Sequence, residues 1–176
     1  PMFTDIVIEE DDSVEPSQKR RSAEEGKINI AVVLLRHISN FTDFGVLERY
    51  ERVNLFYTNN TDDIEKADIV ILPGTKATLD DLYELRRNGV AQAIIRAHAR
   101  GTKVMGICGG YQMLGQIVCD PDGVEGSIPQ LPGLGLLPIH TRMQGEKVTR
   151  QVEFAFHDGS QVEGCRLSPK QLVETA

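Results

Sequence analysis

The sequence predicts an α/β fold, a doubly wound, mostly parallel sheet flanked by helices, and three observations carry that prediction. Short β-branched runs alternate with stretches of helical periodicity from Ile28 onward. The first four of these runs are apolar enough to be buried on both faces, as strands of a covered parallel sheet are. Between one such run and a helical stretch, Gly106-Ile107-Cys108-Gly109-Gly110-Tyr111-Gln112 has the layout of a nucleophile elbow, a turn at home at the end of a parallel strand.

Taken in order, Met2–Ile8 is a candidate short strand, and Glu9–Lys27 is a polar run of Glu, Asp, Ser, Lys and Arg that cannot bury a core and reads as a linker. The strand candidates that follow are Ile28–Leu35, Val53–Tyr57, Asp68–Leu72 and Lys103–Ile107. Leu134–Leu137 and Gln151–Phe156 are further candidates nearer an edge. Between Thr78 and Arg100, Leu79, Leu82, Leu85, Val90, Ala93, Ile94 and Ala97 recur at helical spacing with an interruption at Asn88-Gly89, which fits two helices or one broken helix. Thr78 is the candidate N-cap, with Asp81 three residues on, and Gly101 the C-terminal stop. Asp120-Pro121-Asp122-Gly123 reads as a turn and Pro129–Gly135 as a loop. No internal repeat is visible.

Composition narrows the function classes. A chain of 176 residues with 40% hydrophobic content suits one sizeable core and an appendage. Its net charge of −7, without a basic stripe bearing interleaved aromatics, argues against nucleic acid. No apolar run approaches the roughly 18 residues of a membrane helix, and the acidic Glu9–Asp12 is unlike a secretory signal, so a cytoplasmic location is expected. Three cysteines, Cys108, Cys119 and Cys165, form no Cys-x-x-Cys pair, which speaks against a disulfide framework and a zinc site. Because the chain opens on Pro1 and reaches the linker almost at once, it reads as a piece of a larger protein.

The elbow carries the chemistry. A side chain on a tight strand-to-helix turn is held in strained backbone geometry, and its second neighbours must be small; Gly106 and Gly110 meet that requirement. Cys108 is then expected in solvent, with a helix beginning near Tyr111 whose first turn favours thiolate over thiol. The competing reading makes Cys108 a small buried hydrophobe in an ordinary turn. Attack on a carbonyl also needs donors for the oxyanion. The Gly109 N–H supplies one, and Pro73-Gly74-Thr75-Lys76, leaving the strand Asp68–Leu72 at its carboxyl end, can face the same pocket and add the Gly74 region. Gln112, one turn on, can present its amide to a substrate, although a surface glutamine is the commoner case. His37, His98, His140 and His157 all read as surface residues, so a nucleophile is present without an evident base.

Four segments resemble the glutaminase domain of cobyric acid synthases, a branch of the class I glutamine amidotransferases with a flavodoxin-like fold. They are Leu72–Thr78 with Asp80-Asp81-Leu82, Gly106–Gly115, Asp120–Glu125 and Gly133–Pro138; the stretch Arg36–Phe44 joins them. The resemblance runs over 28–164, and Glu10–Ser13 is similar to the end of the synthetase domain that precedes this one, leaving 1–27 as that end with its linker and 165–176 as an atypical tail. It implies an amidotransferase of cobalamin biosynthesis that amidates corrin carboxylates with ammonia from glutamine. By the same resemblance Cys108 forms a glutamyl thioester, Gly74 and Gly109 make the oxyanion hole, and Gln112 and Thr75 contact glutamine. No cofactor is implied for this chain; ATP and Mg²⁺ belong to the synthetase domain, which with its corrin substrate is the implied partner. One departure counts against catalysis by this chain alone: after Val162-Glu163-Gly164 the family continues to its catalytic histidine, whereas here Cys165-Arg166-Leu167 follows. Elements lost with that segment would leave a strand edge open to self-association. Two other readings stand beside it: a related glutaminase serving cobyrinic acid a,c-diamide synthase or cell-wall lipid amidation, and an inert truncated domain.

Overall fold

β1 (Ile28–Val33), β2 (Val53–Thr58), β3 (Ile69–Leu72) and β4 (Lys103–Gly106) form a wholly parallel sheet in the order β2-β1-β3-β4. They belong to a computed structural model that describes residues 22–39, 41–145, 150–155, 161–167 and 171–175. The candidate strand Met2–Ile8, most of the linker and His157 lie outside the described residues.

Alternate side chains of each strand enter different clusters, as a pleated backbone requires. Ala31, Val33, Phe56, Val70 and Leu72 pack beneath α1 (Thr61–Lys66), α2 (Thr78–Arg87) and α3 (Val90–Ala99), against Ile64, Leu79, Leu82, Leu85, Val90, Ala93 and Ile94. Ile30, Val32, Leu55, Tyr57 and Ile71 pack on the other face with Phe44 and Leu47, from short 3-10 turns at Phe41–Phe44 and Leu47–Arg49. Connections thus cross both faces, and the strand order reverses between β1 and β3.

The predicted burial of β4 on both faces does not hold. Its residues alternate between exposed and half-buried, with Met105 54% exposed, because among the described residues β4 pairs with β3 alone and forms an edge. Asn88-Gly89 does separate two helices; Gly89 takes φ 84°, a conformation that suits glycine.

A second sheet has the order β10-β7-β5-β6, built from β5 (Ile117–Cys119), β6 (Gln130–Pro132), β7 (Ile139–Met143) and β10 (Gln171–Thr175). β8 (Arg150–Ala155) pairs antiparallel with β9 (Gln161–Leu167). Val118, Leu134 and Met143 join the same core as the helices. The predicted strand Leu134–Leu137 is instead a loop. Its N–H groups bond the carbonyls that close α4 (Gly109–Met113): Leu134 donates to Met113 O at 2.8 Å, Gly135 to Gly115 O, and Leu136 and Leu137 to Leu114 O, each at 2.9 Å. Helix-terminal carbonyls need such partners, and this apolar run supplies them. Part of the predicted loop Pro129–Gly135 is β6.

Candidate active site

Cys108 links β4 to α4 with φ 50° and ψ −114°, and among the described residues it alone, glycines aside, has a positive φ. Backbone in that region costs a residue with a β-carbon about 1–3 kcal/mol and persists only where its surroundings enforce it. Here they do. A Cβ built on Gly110 would lie 2.1 Å from the Leu72 carbonyl oxygen, and one on Gly106 would lie 2.6 Å from Tyr111 Cα. Neither contact can be relieved by rotating a side chain. The cysteine is exposed as the elbow predicts, whereas Cys119 is half-buried with its thiol toward Gln130 Oε1 at 3.4 Å. The helix differs from expectation: α4 starts at Gly109 rather than near Tyr111 and is five residues long.

The loop after β3 lies against this elbow. A Cβ on Gly109 would meet Thr75 Cγ2 at 2.6 Å and Thr78 Oγ1 at 2.9 Å, and a Cβ on Gly74 would lie 3.7 Å from Cys108 Cβ. The two segments that the sequence places around one pocket are therefore adjacent. Among the described residues neither the Gly74 nor the Gly109 N–H has an acceptor.

The Thr75 side chain is held within the protein. Its hydroxyl donates to Asp81 Oδ2 at 2.5 Å and accepts the Ala77 N–H at 3.1 Å, so the side chain is committed to the protein. Asp81, 1% exposed, also faces His37, whose Nδ1 lies 3.0 Å from Oδ1 and whose N–H donates to Oδ2 at 3.3 Å. Asp81 thus anchors the β3–α2 loop instead of completing a capping box at Thr78.

Thr78 is the first residue of α2 and not its cap; the cap position is Ala77, which has no side-chain acceptor. Glu125 supplies one from 47 residues away, its Oε2 accepting the Thr78 N–H at 2.8 Å. Asp120 holds that glutamate by accepting the N–H groups of Val124 and Glu125, both at 2.8 Å. The Thr78 hydroxyl donates in turn to Gln112 Oε1 at 3.3 Å. Gln112 is fully buried, not a surface glutamine, and its Nε2 has no partner among the described residues. Packing of the first turns of α2 and α4 accounts for that burial.

The histidines are dispersed. His37 serves Asp81, His140 lies 2.9 Å from Gln116 Oε1, and His98 is exposed near the end of α3. Among the described residues no three His, Cys, Asp or Glu side chains gather where they could hold a metal ion. A cleft of about 430 Å³ lies at the ends of β1 and β2, lined by Leu34, Tyr57, Thr58, Asn60 and Asp63 among others, and includes none of the elbow residues. Ser39, Asp81 and Glu125 lie in segments that the sequence singles out, but their contacts here, Asp81 with Thr75 and Glu125 with the Thr78 N–H, carry no local sequence signal.

A cysteine on a glycine-flanked turn at the carboxyl end of a parallel strand, with open N–H groups beside it, has the geometry of a nucleophile elbow. Residues 29–165 match the CobB/CobQ-like glutamine amidotransferase domain, and the chain belongs to that family. It is 69% identical over 162 residues to a cobyric acid synthase of Bacteroides fragilis, covering 92% of this chain and 33% of that protein. The cobyric acid synthases of Phocaeicola vulgatus and Parabacteroides distasonis are 68% and 57% identical, over 92% and 94% of this chain and 32% and 34% of theirs. The chain thus spans about a third of the length of these curated relatives. Its fold resembles a chain of the PurLQS structure from Thermotoga maritima, with TM-score 0.52, 21% identity, and coverage of 85% of this chain and 67% of that one.

Proposed function

We propose that this chain is the glutamine-hydrolysing part of a cobyric acid synthase, releasing ammonia for amidation of corrin carboxylates. The observation that carries the reading is the exposed Cys108 held at φ 50° beside Gly74. The Cys108 thiolate attacks the glutamine carboxamide carbon, and the oxyanion that forms accepts hydrogen bonds from the Gly74 and Gly109 N–H groups. Collapse expels ammonia, once its nitrogen has taken a proton, and leaves a γ-glutamyl thioester. Water hydrolyses the thioester to glutamate and returns the thiolate. Gln112 offers its unpaired Nε2 to the bound glutamine. Thr75, its hydroxyl engaged by Asp81, contributes through its main chain.

The proton steps need a base, and we assign none: His37 and His140 have other partners. On the departure from the family's pattern after Gly164, our reading is that turnover by this chain alone is impaired. We assign it no cofactor; ATP and Mg²⁺ serve the synthetase domain, which with the corrin is its partner in the cytoplasm. Self-association through the edge of β4, where Met105 is exposed, is part of the same reading. Identity of 57–69% to cobyric acid synthases favours the corrin acceptor over the diamide synthase and cell-wall alternatives.

The experiment is glutamine hydrolysis by this chain and by its Cys108→Ala variant. Slow ammonia release that Cys108→Ala abolishes is expected. Release that persists in Cys108→Ala contradicts the mechanism, and none from the parent chain supports the inert-domain reading.

A further inference from the structure

The boundary between β1 and β3 is where the strand order reverses, and doubly wound sheets take ligands in the crevice outside the carboxyl ends of their strands at that point. Two segments leave the sheet there, one after β1 and one after β3, and they are stitched together. Ser39 N–H donates to Gly74 O at 2.9 Å, Lys76 N–H donates to His37 O at 3.1 Å, and Ile38 bridges Thr75 in antiparallel fashion. With its backbone fixed, the Ser39 hydroxyl has one remaining torsion and a few staggered positions.

That hydroxyl lines the nucleophile's surroundings. A Cβ built on Gly74 would lie 2.8 Å from Ser39 Oγ and 3.7 Å from Cys108 Cβ, so the two side chains flank one small space that glycine leaves open. The nearby Thr75 and Thr78 hydroxyls are committed to Asp81 and Gln112. Ser39 Oγ, half-buried, has no partner among the described residues. Serine can donate to a carboxylate or accept from an ammonium, and the end of glutamine remote from its carboxamide carries both groups.

We infer that Ser39 Oγ hydrogen-bonds the amino-acid end of the bound glutamine, across Gly74 from Cys108. This rests on the glutaminase reading and adds a specificity contact from the segment after β1. Because the contact is made to a part of the substrate that does not react, its loss weakens binding and leaves the attack unchanged.

The test alkylates Cys108 with a chloroketone analogue of glutamine and, separately, with chloroacetone; in both a C–S bond forms as the C–Cl bond breaks and chloride leaves. In Ser39→Ala the half-saturating concentration of the analogue should rise about tenfold, the loss of one hydrogen bond, with its maximal rate and the chloroacetone rate unchanged. A half-saturating concentration within twofold of the parent overturns the inference. So does an equal slowing with both reagents, which would mean that Ser39 acts on the thiol or the fold. A parent chain that shows no saturation with the analogue fails one step earlier, at the glutaminase reading itself.

Discussion

At Cys108 the backbone holds a conformation that an ordinary residue avoids, and the neighbours that hold it there are identifiable. Gly110→Ala drives a methyl to within 2.1 Å of the Leu72 oxygen, so the elbow must open; a loss of about 2–3 kcal/mol in denaturant melts is expected, with slower alkylation of Cys108 by the glutamine chloroketone. Gly145→Ala, with nothing within 4 Å, should change stability by less than about 0.5 kcal/mol. Thr75→Val strips Asp81 of a short hydrogen bond and should cost about 2 kcal/mol, because a buried carboxylate is left partly unpaired. The elbow itself was legible, since glycines at both second neighbours of a cysteine have a steric reason to be there. The commitment of Thr75 to Asp81 was not: nothing local says that a threonine before a helix looks forward along that helix, and not into the pocket.

Among the elements, α2 and α3 could be read because a 3.6-residue apolar period and the Asn88-Gly89 break are local signals. The acceptor for the α2 N-terminus could not, because Glu125 arrives from a loop 47 residues downstream. Removing it with Glu125→Ala should destabilise the chain by about 1 kcal/mol in the same melts, the typical worth of a helix cap. An unchanged midpoint would contradict that role. Leu134–Leu137 was misread for a related reason. Its apolar residues fit a strand, but hydrophobicity does not say which acceptors the backbone meets, and the end of α4 claims them. The exposed edge of β4 was likewise a matter of partners, which an apolar run does not reveal.

For the whole molecule, the apolar face under the 3-10 turns contains a phenol with a pH consequence. Burial, and secondarily the nearby Glu48 carboxylate, raise the Tyr57 pKa well above its usual value. Because the raised value belongs to the folded state, this contribution to stability is complete below the ordinary phenol pKa of about 10 and declines as pH rises beyond it. Melts between pH 8 and 11 should show that decline in the parent chain and a shallower one in Tyr57→Phe; parallel curves would contradict it. The family and the mostly parallel sheet were both legible in the sequence, since the elbow and the loop after β3 are short contiguous motifs. The second sheet was mostly not: its strands are three to five residues long and pair across large separations. The most direct measurement of the central claim is site-resolved alkylation of the intact chain by the glutamine chloroketone, mapped by mass spectrometry. Cys108 should react at least about tenfold faster than Cys119 and Cys165. Equal rates at all three cysteines would contradict the assignment of Cys108 as the nucleophile.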